Sequence, residues 1–233
     1  KELMLSIDLR LQYQAYRELK ASVAQHGAKS GSLIMVDVST GEILAMVNQP
    51  SFNPNNRKAL KAAAVRNRSV ADLIEPGSTV KPFTVVAALM KGIVDDETII
   101  NTHPGTLRIG NKTIRDHRNY GDLDIAGILT KSSNVGVSKI ALKLGGEKLW
   151  SFYQELGLGK PVGLGLPGEH SGKVAVSTNN WNKLQSATLA YGYGLAVTPL
   201  QLAQAYQVLA NGGVKQPLSL IHKTQEPGQQ VVS

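Results

Sequence analysis

A chain of 233 residues can bury a core large enough for one large domain or two small ones, and 42% apolar with 18% charged residues argues against a disordered chain or a coiled coil. The absence of cysteine excludes disulfide frameworks, thiolate metal sites and cysteine nucleophiles. A formal net charge of +8 allows attraction to anionic polymers without selecting one. The longest apolar runs, Ser32–Val36 and Thr84–Met90, are too short to cross a bilayer.

Hydrophobic periodicity and turn residues predict alternating helices, strands and loops along the chain. Asp8 suits the N-cap of a first helix, and Pro82 fits a later helix only when that helix begins near Ser78, because proline is tolerated in the first turn. Thr198 and Gln201 form a capping box that marks the start of a last helix. In chain order, the patterns predict a helix to His26, a β-hairpin over 32–47, a loop over 48–56, a basic surface helix or irregular arm over 58–71, a helix over 78–91, short strands and turns over 101–121, helices over 125–131, 135–144 and 147–156, a glycine-rich loop over 157–172, and a helix over 199–210.

The segment around Ser78 has the residue types of a serine nucleophile with its own base. Pro76-Gly77 is a turn signal that places Ser78 at a helix start, and Lys81 follows three residues later on the same helix face. A serine needs a base to become nucleophilic, and a desolvated lysine with a lowered pKa can serve. The helix N-terminus adds donors for an oxyanion in acyl transfer. Alone, Ser-x-x-Lys is far more often a helix cap beside a solvated lysine than a catalytic pair.

A second polar motif, Lys131-Ser132-Ser133-Asn134, interrupts two predicted helices. A hydroxyl at Ser132 can relay a proton between a serine, a lysine and a leaving amine, and the Asn134 amide can both donate to and accept from a peptide bond. Alone, Ser-Ser-Asn is usually a polar helix break. The two motifs in this order predict nucleophilic acyl transfer far more strongly than either one does.

These motifs resemble a known enzyme family. Ser-x-x-Lys, Ser-x-Asn and Lys-Thr-Gly form the set shared by serine β-lactamases and penicillin-binding proteins. Longer stretches resemble class B penicillin-binding proteins, above all their division-specific members, from about residue 5 to 220: Ser6–Gln12, Asp37–Met46, Pro54–Arg57, Glu75–Pro82, Lys131–Ser138 and Tyr193–Ala203, with Gly192 before the last. The resemblance implies an α+β fold of the β-lactamase and penicillin-binding transpeptidase type, with a helical cluster packed on an antiparallel sheet and, in this chain, without its C-terminal strands.

The same resemblance implies a serine-type D,D-transpeptidase that needs no metal or cofactor. Ser78 would be acylated by the D-Ala-D-Ala end of a peptidoglycan stem peptide, with Lys81 as base and Ser132 returning the proton to the leaving amine. Asn134 would hold the substrate backbone and the lysine, and an amine of a neighbouring stem peptide would complete the cross-link. β-Lactams would acylate Ser78 as substrate mimics.

The family also implies further binding residues, partners and a location. We expect Ser133, Tyr193 and Gly194 to bind substrate, although a packed turn explains the Tyr191–Gly194 glycines equally well. The implied partners are a division glycosyltransferase and other divisome membrane proteins, with no nucleic acid. The implied location is the bacterial inner membrane, with a periplasmic catalytic domain and an anchor outside this chain.

One departure from the family pattern concerns its third motif, Lys-Ser/Thr-Gly, which belongs on a strand after Asn134. Lys29-Ser30-Gly31 has the right letters but precedes the nucleophile, and Lys223-Thr224-Gln225 has the wrong third residue. We therefore expect residues 1–233 to be an incomplete transpeptidase domain, its N-terminal two-thirds, so that activity is expected of a longer protein rather than of this piece.

Two other functions remain open at this stage. A serine β-lactamase or β-lactam sensor of the same fold would need a water-activating glutamate or a signalling domain, and Glu169 lies in a loop unlike that of a β-lactamase. A non-catalytic scaffold would not require Ser78, Lys81, Ser132 and Asn134 together. The five scattered histidines lack metal-ligand spacing, and the basic stretch Arg57–Arg68 is best interpreted as a solvated face.

Overall fold

A computed structural model describes residues 3–56, 58, 62–174, 181–222 and 228–232 of the chain. The contacts divide the chain into two units. The hairpin unit comprises Lys1–Ile74, Leu156–Gly172 and Val197–Ser233, and the helical unit comprises Glu75–Glu155 and Lys173–Ala196.

The secondary structure alternates between helices and short antiparallel strand pairs. The helices are α1 (Leu9–Gln25), α2 (Ala62–Val65), α3 (Arg68–Ala71), α4 (Lys81–Met90), α5 (Ile125–Thr130), α6 (Asn134–Leu144), α7 (Gly146–Glu155), α8 (Lys183–Leu189) and α9 (Pro199–Ala210), with a 3₁₀ turn over Gly77–Val80. The strands are β1 (Gly31–Val36), β2 (Ile43–Gln49), β3 (Ile100–Asn101), β4 (Thr106–Ile109), β5 (Lys112–Arg115), β6 (Asp122–Leu123), β7 (Lys173–Val174), β8 (Leu195–Ala196), β9 (Val214–Lys215) and β10 (Gln229–Gln230). The pairs are β1–β2, β3–β6, β4–β5, β7–β8 and β9–β10.

The β1–β2 hairpin is the centre of the hairpin unit, because both of its faces are covered. Ala45 and Val47 point to one face, where α1 packs through Ala15. The opposite face, which includes Ile43 after a bulge near Val36, packs against α3 and α9. Simple alternation would place Ile43, Ala45 and Val47 on one face, so it is the bulge that sends Ile43 to the other helical layer.

The helical unit is built around α6, which packs against α4, α7 and α8. Phe83 of α4 meets Tyr153 of α7 edge to face, with ring centroids 6.4 Å apart. The Tyr153 hydroxyl shares a 2.8 Å hydrogen bond with Thr84, which donates to the carbonyl of Ala190 at 2.9 Å. Because Tyr153 is fully buried, desolvation raises its pKa. These buried contacts fix α4, which carries Lys81 at its first residue.

The structure confirms the predicted helices and the hairpin. Asp8 caps α1, and Thr198 and Gln201 form the expected capping box of α9. Helix α8 and most of the two-residue strands were not predicted, since such short elements carry too little periodicity.

The interpretation of residues 58–71 as one surface helix or irregular arm is wrong in part. Two four-residue helices lie there, and the second buries Ser69 and Val70 completely. Arg66 and Arg68 both pair with Asp72, which makes them structural rather than a free basic face. Arg57 lies outside the described residues. Within the described ranges, no helix has the length and hydropathy needed to span a membrane.

Candidate active site

Ser78 lies at the start of a continuous helical stretch, as predicted. Gly77 has φ +57°, a left-handed value that favours glycine, and the chain then runs through the 3₁₀ turn directly into α4. Pro82 occupies the first turn of α4, where its missing N–H costs no helical hydrogen bond. The Ser78 side chain is exposed. The Pro-Gly turn thus presents this hydroxyl to solvent at a helix N-terminus.

Lys81 is buried, with only 2% of its surface exposed, and its amine is held by Ser132. Its Nζ donates to the Ser132 carbonyl at 2.5 Å and to the Ser132 hydroxyl at 2.9 Å. Among the described residues, the recorded hydrogen bonds of this amine go to Ser132, and none joins it to Ser78. The structure therefore brings Lys81 and Ser132 together and places Ser78 one helical turn before Lys81.

Burial changes the protonation of this amine. Loss of water around the ammonium lowers the pKa of Lys81 to about 8, and the negative charge of Asp116 opposes the shift. With that pKa, roughly a tenth of the Lys81 side chains carry a neutral amine at pH 7, against well under a thousandth for an ordinary lysine. A neutral amine beside a hydroxyl can accept its proton, which an ammonium cannot do.

Ser132 takes an unusual backbone conformation at the end of α5. Its φ is +53°, the one positive value among the non-glycine residues that the structure describes. The amides of Ser132 and Ser133 donate back to Leu129 and Ile128, which closes α5 as glycine often does in other proteins. A non-glycine residue pays about 1–2 kcal/mol for this conformation. Glycine would adopt this conformation without that cost, but only a serine here provides a hydroxyl in contact with the Lys81 amine.

Ser133 and Asn134 begin α6, and both are tied to the end of β5. Ser133 is fully buried; its hydroxyl accepts from the Gly136 amide at 2.8 Å and donates to Asp116 at 2.7 Å. The Asn134 side-chain amide donates to the Arg115 carbonyl at 3.1 Å. Ser133 was expected to bind substrate, but its side chain is inaccessible and instead positions the turn.

Asp116 belongs to the site but was missed from the sequence. One carboxylate oxygen accepts the Ser133 hydroxyl and the other accepts the Val135 amide at 3.0 Å, so the carboxylate caps α6 from outside the helix. In the sequence, Asp116 stands in a polar, turn-rich stretch and looks like any surface aspartate. Only the pairing of β4 with β5, and the packing of β5 on α6, brings it beside the Ser-Ser-Asn turn.

The segment with Tyr193 and Gly194 lies against the Ser78 turn through the preceding residue. Gly192 has φ +79°, and a Cβ on it would stand 2.4 Å from the Gly77 carbonyl oxygen. Backbone packs on backbone there, which only glycine permits. The Tyr193 side chain next to this contact is 63% exposed. The contact thus places Gly192 against the Ser78 turn, and Tyr193 and Gly194 follow Gly192 directly in the chain.

Together these groups can carry out acyl transfer. Ser78 supplies an exposed hydroxyl, Lys81 a buried amine with a lowered pKa, and Ser132 a hydroxyl in contact with that amine. A proton can therefore pass between a nucleophile and a leaving group through Lys81 and Ser132. In the described ranges, no three histidine, aspartate or glutamate side chains gather as a metal site.

Comparisons with known proteins agree on one family. The sequence profile of the "Penicillin binding protein transpeptidase domain" family matches residues 31–233. The chain is 49% identical over 218 residues to the peptidoglycan D,D-transpeptidase FtsI of Escherichia coli K12, covering 94% of this chain and 37% of that protein. It is 43% identical over 219 residues to the probable peptidoglycan D,D-transpeptidase PenA of Neisseria gonorrhoeae, with the same coverage of 94% and 37%.

A solved structure confirms the expected fold. The apo structure of the TP domain from Burkholderia pseudomallei penicillin-binding protein 3 superposes with a TM-score of 0.89 at 37% identity. The match covers 99% of this chain and 66% of that chain. The chain therefore spans about two-thirds of the solved domain and a little over a third of its curated relatives.

The contact between Gly192 and Gly77 predicts that Gly192→Ala is destabilising. The new methyl group must move the Ser78 turn, and we expect a loss of about 2 kcal/mol beyond the cost of its positive φ. Gly110→Ala is the matched control, because Gly110 has φ +58° and open space around its Cβ position. Equilibrium urea unfolding measures both variants, and equal losses would show that the Gly192 contact is not tight.

The electrostatic coupling of Lys81 to Asp116 makes a second prediction. Asp116 favours the charged ammonium, so Asp116→Asn should lower the pKa of Lys81 below its value of about 8. The ¹³C chemical shift of reductively methylated Lys81, followed from pH 6 to 11, reports this pKa directly. Asp96→Asn removes an exposed carboxylate elsewhere in the helical unit and should leave it unchanged. An unchanged or raised pKa in Asp116→Asn contradicts the coupling.

Proposed function

The chain belongs to the penicillin-binding protein transpeptidase family, and from that premise we propose that Ser78, Lys81, Ser132 and Asn134 are the catalytic residues of a peptidoglycan D,D-transpeptidase acting in septal cell-wall synthesis. The observation that carries the proposal is the buried Lys81 amine, 2.9 Å from the Ser132 hydroxyl and one helical turn after Ser78. Burying an amine lowers the stability of the fold. A desolvated lysine at this position is therefore better explained by catalysis than by stability.

The proposed reaction proceeds in two acyl transfers. The Ser78 hydroxyl attacks the carbonyl carbon of the penultimate D-alanine while the neutral Lys81 amine accepts its proton. The C–N bond then breaks, and the Ser132 hydroxyl passes a proton from Lys81 to the departing D-alanine amine. An amine of a second stem peptide attacks the ester, forms the cross-link and returns the hydroxyl of Ser78.

Asn134 and the Tyr193–Gly194 segment are proposed to hold the donor peptide. The Asn134 amide nitrogen donates to Arg115, which leaves its oxygen free to accept from a substrate N–H. Tyr193 is exposed beside the Ser78 turn and offers an aromatic surface to a bound peptide. β-Lactams are proposed to acylate Ser78 by the same route and to remain attached.

The cellular location and the partners of the full-length protein are proposed from its relatives. A division-specific role implies an inner-membrane protein with a periplasmic catalytic domain and, as partners, a division glycosyltransferase and other divisome proteins. Residues 1–233 would form the N-terminal two-thirds of the transpeptidase domain, in line with their coverage of the solved domain. Lys29-Ser30-Gly31 runs into β1, whose first residue is Gly31, in the hairpin unit, whereas Ser78 belongs to the helical unit. Lys223-Thr224-Gln225 lies outside the described residues.

The β-lactamase alternative receives no support from Glu169. Its carboxylate accepts the backbone amides of Gly163 at 2.6 Å and Gly165 at 3.2 Å. The side chain thus closes its own loop instead of presenting a base to water. Slow release of bound penicillin favours the transpeptidase, because a β-lactamase would turn it over within seconds.

Covalent labelling tests the proposed nucleophile. The protein at full length should label with a fluorescent penicillin, and Ser78→Ala should abolish the label, because the neighbouring hydroxyl of the same turn, that of Thr79, donates to the Pro76 carbonyl at 2.7 Å. Ser30→Ala, in the exposed Lys-Ser-Gly triplet, is the control and should label like the wild type. Label retained in Ser78→Ala contradicts the assignment, and release of the label within seconds contradicts the transpeptidase.

A further inference from the structure

The segment that starts at the last residue of β5 is anchored by hydrogen bonds beside the Asn134 amide. The Arg115 carbonyl receives that amide, and the Asp116 carboxylate holds Ser133 and Val135. The Asp116 amide in turn donates to the Gly105 carbonyl at 2.9 Å. Further along, Asn119 bonds to the His103 ring at 2.9 Å. These bonds come from both ends of the segment, so residues 115–118 have a defined place at the edge of the catalytic cluster.

This anchored segment displays positive charge outward. Ile114 is buried, whereas Arg115, His117 and Arg118 are exposed. The only carboxylate among them, Asp116, is already engaged with the start of α6. Residues 115–118 thus carry two arginines against one aspartate. The excess of positive charge on this segment therefore faces solvent.

The two arginines have no anionic partner among the described residues. None of the ion pairs that the structure records involves Arg115 or Arg118. The Arg118 guanidinium lies 5.4 Å from the centre of the Tyr120 ring, which orients it without neutralising its charge. Two guanidinium groups without an ion-pair partner among the described residues are therefore available to an external anion.

We infer that Arg115 and Arg118 form a subsite for a carboxylate of the acyl-donor peptide, next to the Asn134 amide. The inference rests on the proposed function, since it takes the peptide to lie along Asn134. The Arg115 carbonyl is 3.1 Å from the Asn134 nitrogen, which places the Arg115 Cα within about 6 Å of it. An arginine side chain spans that distance, and its planar fork matches a carboxylate.

An acidic peptide fits this surface better than a nucleic acid does. Nucleic-acid sites combine a long basic track with several stacking aromatic rings. Here the segment offers two guanidinium groups and one ring, Tyr120, which Arg118 already covers. Two guanidinium groups are enough to bind one carboxylate. This number therefore favours a peptide that carries a single carboxylate here while it also contacts the catalytic residues.

Matched acylation probes test the subsite in the full-length protein. Benzylpenicillin and carbenicillin share one ring system and differ by a carboxylate on the side-chain carbon. In the double variant Arg115→Gln/Arg118→Gln, we expect the ratio of the carbenicillin to the benzylpenicillin acylation rate constant to fall by about three- to tenfold, the size expected for exposed charge pairs. Added salt should narrow the difference, since screening weakens the wild-type attraction. Lys143→Gln, an exposed cation at the end of α6, is the control and should leave the ratio unchanged.

A second measurement separates this inference from the proposed function. Equilibrium binding of acetylated Glu-D-Ala-D-Ala and Gln-D-Ala-D-Ala to Ser78→Ala, followed by NMR chemical shifts, requires no acylation. A preference for the glutamate peptide that disappears when both arginines are replaced supports the subsite even if Ser78 proves not to be the nucleophile. An unchanged acylation ratio, an equal fall for both penicillins, or the absence of a glutamate preference overturns it.

Discussion

The burial of the Lys81 amine against Ser132 is the interaction on which the rest of the site depends. An ammonium in water is a poor base, and only the loss of solvent brings the pKa of Lys81 to about 8. The two hydrogen bonds to Ser132 offset part of the desolvation cost and fix the direction of the amine. The same contact therefore lowers the pKa of Lys81 and connects its amine to the hydroxyl that is proposed to pass a proton onward.

Several interactions within the helical unit hold Lys81 and Ser132 in place. On the lysine side, α4 is anchored through Phe83 and through Thr84 with Tyr153. On the serine side, the left-handed turn at Ser132 is secured by the buried hydroxyl of Ser133 and by Asp116. Asp116 also opposes the shift in the Lys81 pKa, so one carboxylate supports the geometry while it limits how far the amine is deprotonated.

Local chemistry made the helices and the Ser78 turn predictable from the sequence, whereas the long-range contacts were not predictable. Pro76-Gly77 before Ser78 and the capping box of α9 act within a few residues, and both are present as expected. The approach of Gly192 to Gly77 and the bonds of Asp116 to α6 join residues far apart in the chain. Hydrophobic periodicity does not reveal contacts between residues far apart in the chain. For this reason Asp116 was missed, and Ser133 was predicted to bind substrate although its side chain stabilises the turn before α6.

The pH dependence of Ser78 acylation by benzylpenicillin tests most directly whether the buried amine is the base. If neutral Lys81 accepts the proton, the second-order rate constant in the full-length protein rises with pH and reaches half its plateau near pH 8. A rate that is constant between pH 6 and 9, or that rises only towards the ordinary lysine value near 10.5, would contradict this account.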